Sequence, residues 1–187
     1  MRFVWMLAGV GWMLAASAQV DDATNPILAV WKEQHLNFFY EGQTSRYSCA
    51  GLRDKVRAML LDLGARRDLS VTALGCERPT SQVRLADVGP SLSLVFSAPV
   101  LPDARLRPLR AGDLTAVDAR FERFVITADV FRNMGAADCE LVQDFARQIL
   151  PKLATRDLRQ DIACVPSPQD GARFLVRGEV LKSLPPR

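Results

Sequence analysis

The residues of this chain with the most chemistry to offer are four cysteines, Cys49, Cys76, Cys139 and Cys164, and one histidine, His35. A Ser-His-Asp hydrolase would have to use His35, but no Gly-x-Ser-x-Gly elbow accompanies it. Zinc needs clustered Cys and His ligands, and these cysteines are widely spaced. Thiol–disulfide exchange favours a thiolate at a helix start. Cys49 and Cys139 both fall at predicted helix starts, yet no Cys-x-x-Cys occurs. Structural disulfides are the better reading.

The carboxylates offer little more. Asp68 and Asp157 each follow an Arg in a shared Arg-Asp-Leu triplet. They suit the turn between a helix and its returning strand, where Asp bonds nearby backbone. Nothing fixes two acids across a cleft as glycoside hydrolysis requires. No glycine loop cradles a phosphate. No catalytic residue, cofactor or metal is therefore expected. His35, Tyr40, Arg46, Tyr47, Arg105, Arg107 and Arg110 are the surface candidates for binding.

These residues are positioned by two units of the same order. In the first, Leu36–Tyr40 reads as an aromatic-rich strand, with Tyr47 in its hairpin partner. Ser48 is the expected N-cap. Leu52, Val56, Met59, Leu60 and Leu63 recur at helical spacing, and Gly64 is placed to end the helix in a left-handed conformation. Leu69–Leu74 returns as a strand, and Gln82–Leu85 and Leu92–Val100 follow. In the second unit, Phe121–Thr127 is a strand and Asp138 the expected N-cap. Val142, Phe145, Ala146, Ile149 and Leu153 form the stripe, which Pro151 should kink or end. Leu158–Cys164 and Gly171–Leu181 complete the unit.

Four cysteines allow three connectivities. A helix of ~15 residues rises ~22 Å, and a strand of ~7 residues covers ~23 Å. A strand antiparallel to its helix thus returns its end to the helix start. That predicts Cys49–Cys76 and Cys139–Cys164.

The N-terminus begins Met1-Arg2, runs apolar from Phe3 to Leu14 and reaches Ala16-Ser17-Ala18. It reads as a secretory signal cut before Gln19, leaving residues 19–187 as one domain without membrane insertion. The net charge of +3 falls to +2 once Arg2 leaves with the signal, a balance that predicts no particular attraction to nucleic acid or membrane. Arg105, Arg107 and Arg110 lie in a Pro-rich connection between half-units at about 30–100 and 119–182.

Trp31-Lys32-Glu33-Gln34, Phe38-Phe39-Tyr40, Tyr47-Ser48-Cys49, Leu63-Gly64-Ala65-Arg66 and Gly75-Cys76-Glu77 follow in order, with Asp138-Cys139-Glu140-Leu141 later. Over residues 31–77, and more thinly at 138–141, the chain resembles a group of small exported Gram-negative bacterial proteins of uncharacterised function. The resemblance implies export and the cysteine framework. It supplies no catalytic residue.

The expected fold is α+β: two pseudo-repeated β-α-β-β units, with two helices on one face of a mostly antiparallel sheet, ferredoxin-like by analogy. The expected role is a periplasmic or extracellular, disulfide-stabilised, non-enzymatic binding or assembly module, meeting an envelope protein through a strand edge. The alternative is an envelope enzyme with a carboxylate/arginine site.

Overall fold

Among the described residues, largely alternating burial marks six strands, and two apolar stripes build two helices. The structure is a computed structural model and describes residues 25–42, 46–74, 90–102, 116–128, 131, 134–164 and 172–185. In chain order the elements are β1 (Ile27–Phe39), α1 (Cys49–Asp62), β2 (Ser70–Leu74), β3 (Ser91–Val100), β4 (Ala116–Thr127), α2 (Cys139–Gln148), β5 (Thr155–Ala163) and β6 (Arg173–Ser183). Short 3-10 turns at Ala136–Asp138 and Leu150–Lys152 flank α2.

The described strands form one antiparallel sheet in the order β2-β3-β1-β4-β6-β5. The fold is α+β, as the sequence predicts. Exchanging β1, β2 and β3 for β4, β5 and β6 returns the same order read from the other end. Within the sheet the two halves join where Ile27–Val30 of β1 pairs with Ala116–Ala119 of β4.

Register assigns the faces. Phe38 sits opposite Leu92, Leu36 opposite Leu94, and Ile126 opposite Val176. These side chains meet Leu52, Val56, Met59 and Leu60 of α1 and Leu141, Val142 and Phe145 of α2 in one core. Each fully buried Leu or Phe contributes about 1.5–3 kcal/mol. On the opposite face Ala29, Ala119 and Leu181 form a small buried apolar cluster, flanked by Val117 and Phe121. Elsewhere that face exposes Glu33, His35, Arg123, Val125 and Arg177.

Helix α1 starts and stops as predicted. The Ser48 hydroxyl accepts from the Gly51 amide at 3.0 Å. Gly64 adopts φ +92°, while the amides of Gly64 and Ala65 donate to Leu61 and Leu60. This pair of bonds satisfies the last carbonyls of the helix. Helix α2 differs. Asp138 occupies its N-cap position but makes no side-chain capping bond to it. Its carboxylate turns back to the Gly135 amide at 2.8 Å. Ile149 ends the helix, and Pro151 lies in the following 3-10 turn.

Several expectations are corrected. Strand β1 begins at Ile27 rather than Leu36. The polar run Lys32–His35 breaks the apolar pattern, but pairing with β3 from Val30 to Phe39 carries the strand through it. Strands β4, β5 and β6 likewise run past the predicted bounds. Tyr47 joins no hairpin; it lies in the irregular lead into α1. Asp157 serves no helix-to-strand turn, since it stands at φ 53° in an irregularity of β5 between Arg156 and Arg159. Only a glycine fits beneath that bulge without adjustment. A Cβ on Gly178 would stand 3.0 Å from the Arg156 carbonyl oxygen.

Cys139 and Cys164 are disulfide-bonded, with Cα atoms 5.3 Å apart. The bond ties the start of α2 to the end of β5, as the length argument predicts. Cys49 is also disulfide-bonded; its expected partner Cys76 lies outside the described residues. So do Gln82–Leu85 and the Arg105, Arg107 and Arg110 connection.

Candidate functional site

The polar chemistry of the interior gathers where the two helices begin. β1 delivers Tyr40, the lead into α1 delivers Tyr47, α1 delivers Lys55, and the turn before α2 delivers Asp138. The Tyr47 hydroxyl donates to Asp138 Oδ1 in a short hydrogen bond. Lys55 Nζ donates to Asp138 Oδ2 at 2.9 Å. Tyr40 packs edge-on against Tyr47, their ring centroids 5.1 Å apart. Its hydroxyl lies 3.4 Å from Glu140 Oε2.

Electrostatics fix the protonation states of this cluster. Burial opposes a charge on Asp138, but the bonds from Tyr47, Lys55 and the Gly135 amide outweigh it and hold the carboxyl below its usual range. Burial and neighbouring carboxylates push both tyrosine hydroxyls well above theirs. Neutral tyrosines and an ionised, fully engaged aspartate are poor acid–base catalysts near neutral pH. The cluster is a tie between α1 and α2.

A shallow cleft of about 220 Å³ opens beside it, lined by Glu41, Gly42, Glu140, Gln143, Asp144 and Arg147. Asp144 is nine-tenths buried. It accepts from the Glu41 amide at 2.8 Å and from Arg147 at 2.9 Å. Arg147 also reaches Glu41 Oε2 at 2.6 Å. Burial pushes the Asp144 carboxyl above its usual value despite those partners. One turn on, the Gln148 amide accepts from Phe39 N–H at 2.9 Å and donates to Phe39 C=O at 2.7 Å. Side chains of α2 thus occupy the place of a strand neighbour along the end of β1.

The helix-free face of the sheet is the other candidate surface. Its β1–β3–β2 half keeps its charges paired. His35 meets Glu33 at 2.7 Å, and Arg66 meets Asp68 at 2.6 Å while its guanidinium lies 5.7 Å from the Trp31 ring centre. Its β4–β6–β5 half carries Arg123, Arg156, Arg159, Arg173 and Arg177 against Glu179 and Asp161. Glu179 holds Arg156 at 2.6 Å and Arg123 at 3.7 Å, and Arg156 stacks over Phe121 at 4.3 Å.

Of the residues singled out from the sequence, Tyr40 and Tyr47 come together, in a structural tie rather than at the surface. His35 lies mid-strand on the open face, and Arg46 is exposed ahead of α1. Neither joins the tyrosines. Sequence reasoning missed Asp144, Arg147 and Gln148, which follow the Asp138-Cys139-Glu140 run at helical spacing, and the arginines of β5 and β6. The i, i+3 relation of Asp144 and Arg147 was the one signal for them. Among the described residues no helix is long and apolar enough to cross a membrane. Set against protein-family models, curated proteins and solved structures, the chain matches none.

Proposed function

We propose that this is a non-enzymatic binding or assembly module of the bacterial cell envelope, exported by its N-terminal signal and stabilised by disulfides. Its two β-α-β-β units are read as repeats of one framework. One observation carries the binding reading: the helix-free sheet face is open and combines exposed Val125 with an excess of arginine. Arginine beside apolar area is the composition of interface cores.

The face is favoured over a strand edge. Edge strand β2 is short, and edge strand β5 is bulged and charged, both of which oppose strand addition. A photo-crosslinking residue at Val125 tests the reading. Expressed with its signal in a Gram-negative host, the protein should start at Gln19 and yield a discrete envelope adduct from Val125. The same residue at Arg53, exposed on α1, should yield none. No adduct from Val125 would overturn the reading.

A second reading, an envelope enzyme, is favoured by one feature. Burial pushes the Asp144 carboxyl up, the direction that suits a general acid. Asp144 lines the cleft with Glu41 and Arg147. The cleft falls below the roughly 300–1,000 Å³ of usual ligand sites, so this reading stands second. Loss of the Val125 adduct in Asp144→Asn, with the fold intact, would move the site to the cleft.

A further inference from the structure

Register puts Arg159 of β5 directly opposite Arg177 of β6, and Arg177 opposite Val125 of β4. Directly opposed side chains have Cβ atoms about 4.5–5.5 Å apart, and like charges there are destabilising. Arg173 lies on the same face, opposite Ala163. Among the described residues Arg159, Arg173 and Arg177 enter no ion pair. The nearby Asp161 sits opposite Leu175 rather than an arginine. Arg123, 91% exposed, has only its 3.7 Å contact with Glu179. Charges on the other half of the same face are paired within the chain, so among the described residues the unpaired arginines of this face fall in one patch.

The geometry points to an acidic segment of a partner protein as the occupant of this patch, laid across Arg159, Arg177 and Val125. The inference rests on the binding reading above and names its partner. Arginine forks grip carboxylates bidentately. Val125 and half-buried Leu175 supply apolar contacts between the cationic sites. An anionic lipid surface is the weaker fit, because Asp161 and Glu179 lie among these arginines and would face its headgroups, whereas a peptide can set its carboxylates at Arg159 and Arg177 alone. Single-stranded nucleic acid would need open aromatic faces to stack on, and Arg156 covers the one at Phe121.

The test uses residues 19–187 and a labelled peptide of about a dozen residues alternating Glu and Val, read by fluorescence anisotropy. The wild type should bind it in a salt-sensitive way. R159E/R177E should weaken binding about 100-fold, two charge-assisted contacts at about tenfold each, and R53E should leave it unchanged. R177Q separates binding from folding: it should weaken binding about tenfold yet unfold at a higher urea concentration, because it relieves the opposed pair. Equal affinity across these variants would overturn the inference. So would preferential binding to phosphatidylglycerol vesicles, or salt-sensitive dimerisation that occupies the same arginines. A Val125 adduct that survives R159E/R177E would leave the binding reading standing and remove this one; absence of any adduct would remove both.

Discussion

The Tyr47 hydroxyl donates to the Asp138 carboxylate across 91 residues of sequence and holds the start of α1 against the start of α2. Asp138 is 5% exposed and accepts from Tyr47, Lys55 and the Gly135 amide. A buried carboxylate that loses one such donor is left under-satisfied, which costs about 1–3 kcal/mol. Tyr47→Phe should lower urea-unfolding stability by that amount. Asp138→Ala should cost more, because it strands Tyr47 and Lys55 together. Combining Tyr47→Phe with Asp138→Ala should give much less than the sum, since both remove the same bond. Simple additivity would mean that the tie carries no energy of its own.

Asp138 and Asp144 should impose opposite pH slopes on stability. The Asp138 carboxyl is held below the ordinary aspartate value of 3.8. Its contribution is therefore complete above that value and is lost as pH falls through the lower folded-state value. The Asp144 carboxyl is raised above 3.8. Between 3.8 and its higher folded-state value, the native state holds the extra proton, so stability falls as pH rises. Asp138→Asn should flatten the acid limb below 3.8. Asp144→Asn should remove the decline above it, while Asn Oδ1 still accepts from the Glu41 amide. Urea titrations across pH 2–7 read both slopes. A shared sign would sink the assignment.

The disulfide between Cys139 and Cys164 closes a sequence separation of 25. In the chain-entropy model such a bond stabilises by about 3–4 kcal/mol. Cys139→Ser/Cys164→Ser should lose stability on that scale while far-UV circular dichroism keeps its helix and sheet signal. The Sγ of Cys139 also lies 3.5 Å from the Arg173 carbonyl oxygen, so the start of β6 should gain amide exchange in the same variant. A loss below about 1 kcal/mol would show that the unfolded chain is already constrained there.

What could be read from the sequence was local. Ser48, Gly64 and both apolar stripes act within one or two helical turns, and each stands where spacing puts it. The Cys139–Cys164 pairing followed from matching helix and strand lengths. What could not be read was register. Arg159 and Arg177 face each other only because the bulge at Asp157 resets β5, and a one-residue slip would send Arg159 to the other face. The same holds for Asp138, an N-cap by pattern, whose carboxylate was claimed instead by Tyr47 and Lys55 from far along the chain. Tyr40 and Tyr47 were singled out as surface candidates, but the sheet and α2 bury or half-bury them. Strand β1 is longer than its apolar content suggests because pairing with β3 from Val30 to Phe39 holds it through the polar Lys32–His35.

Gln148 is the sharpest case of a long-range role without a sequence signal. Its amide both accepts from and donates to the backbone of Phe39, 109 residues away, filling the place of a strand neighbour with a side chain. Phe39 is 47% exposed, so water can replace part of what is lost. Gln148→Ala should therefore cost only about 0.5–1.5 kcal/mol, while Gln148→Glu, which still accepts from the Phe39 amide but cannot donate to its carbonyl, should recover only part of it. The local signature is hydrogen exchange. The Phe39 amide should lose protection in Gln148→Ala, while amides in the Phe38-facing part of β3 stay protected. Unchanged exchange at Phe39 would mean that α2 merely lies beside β1 and does not complete its edge.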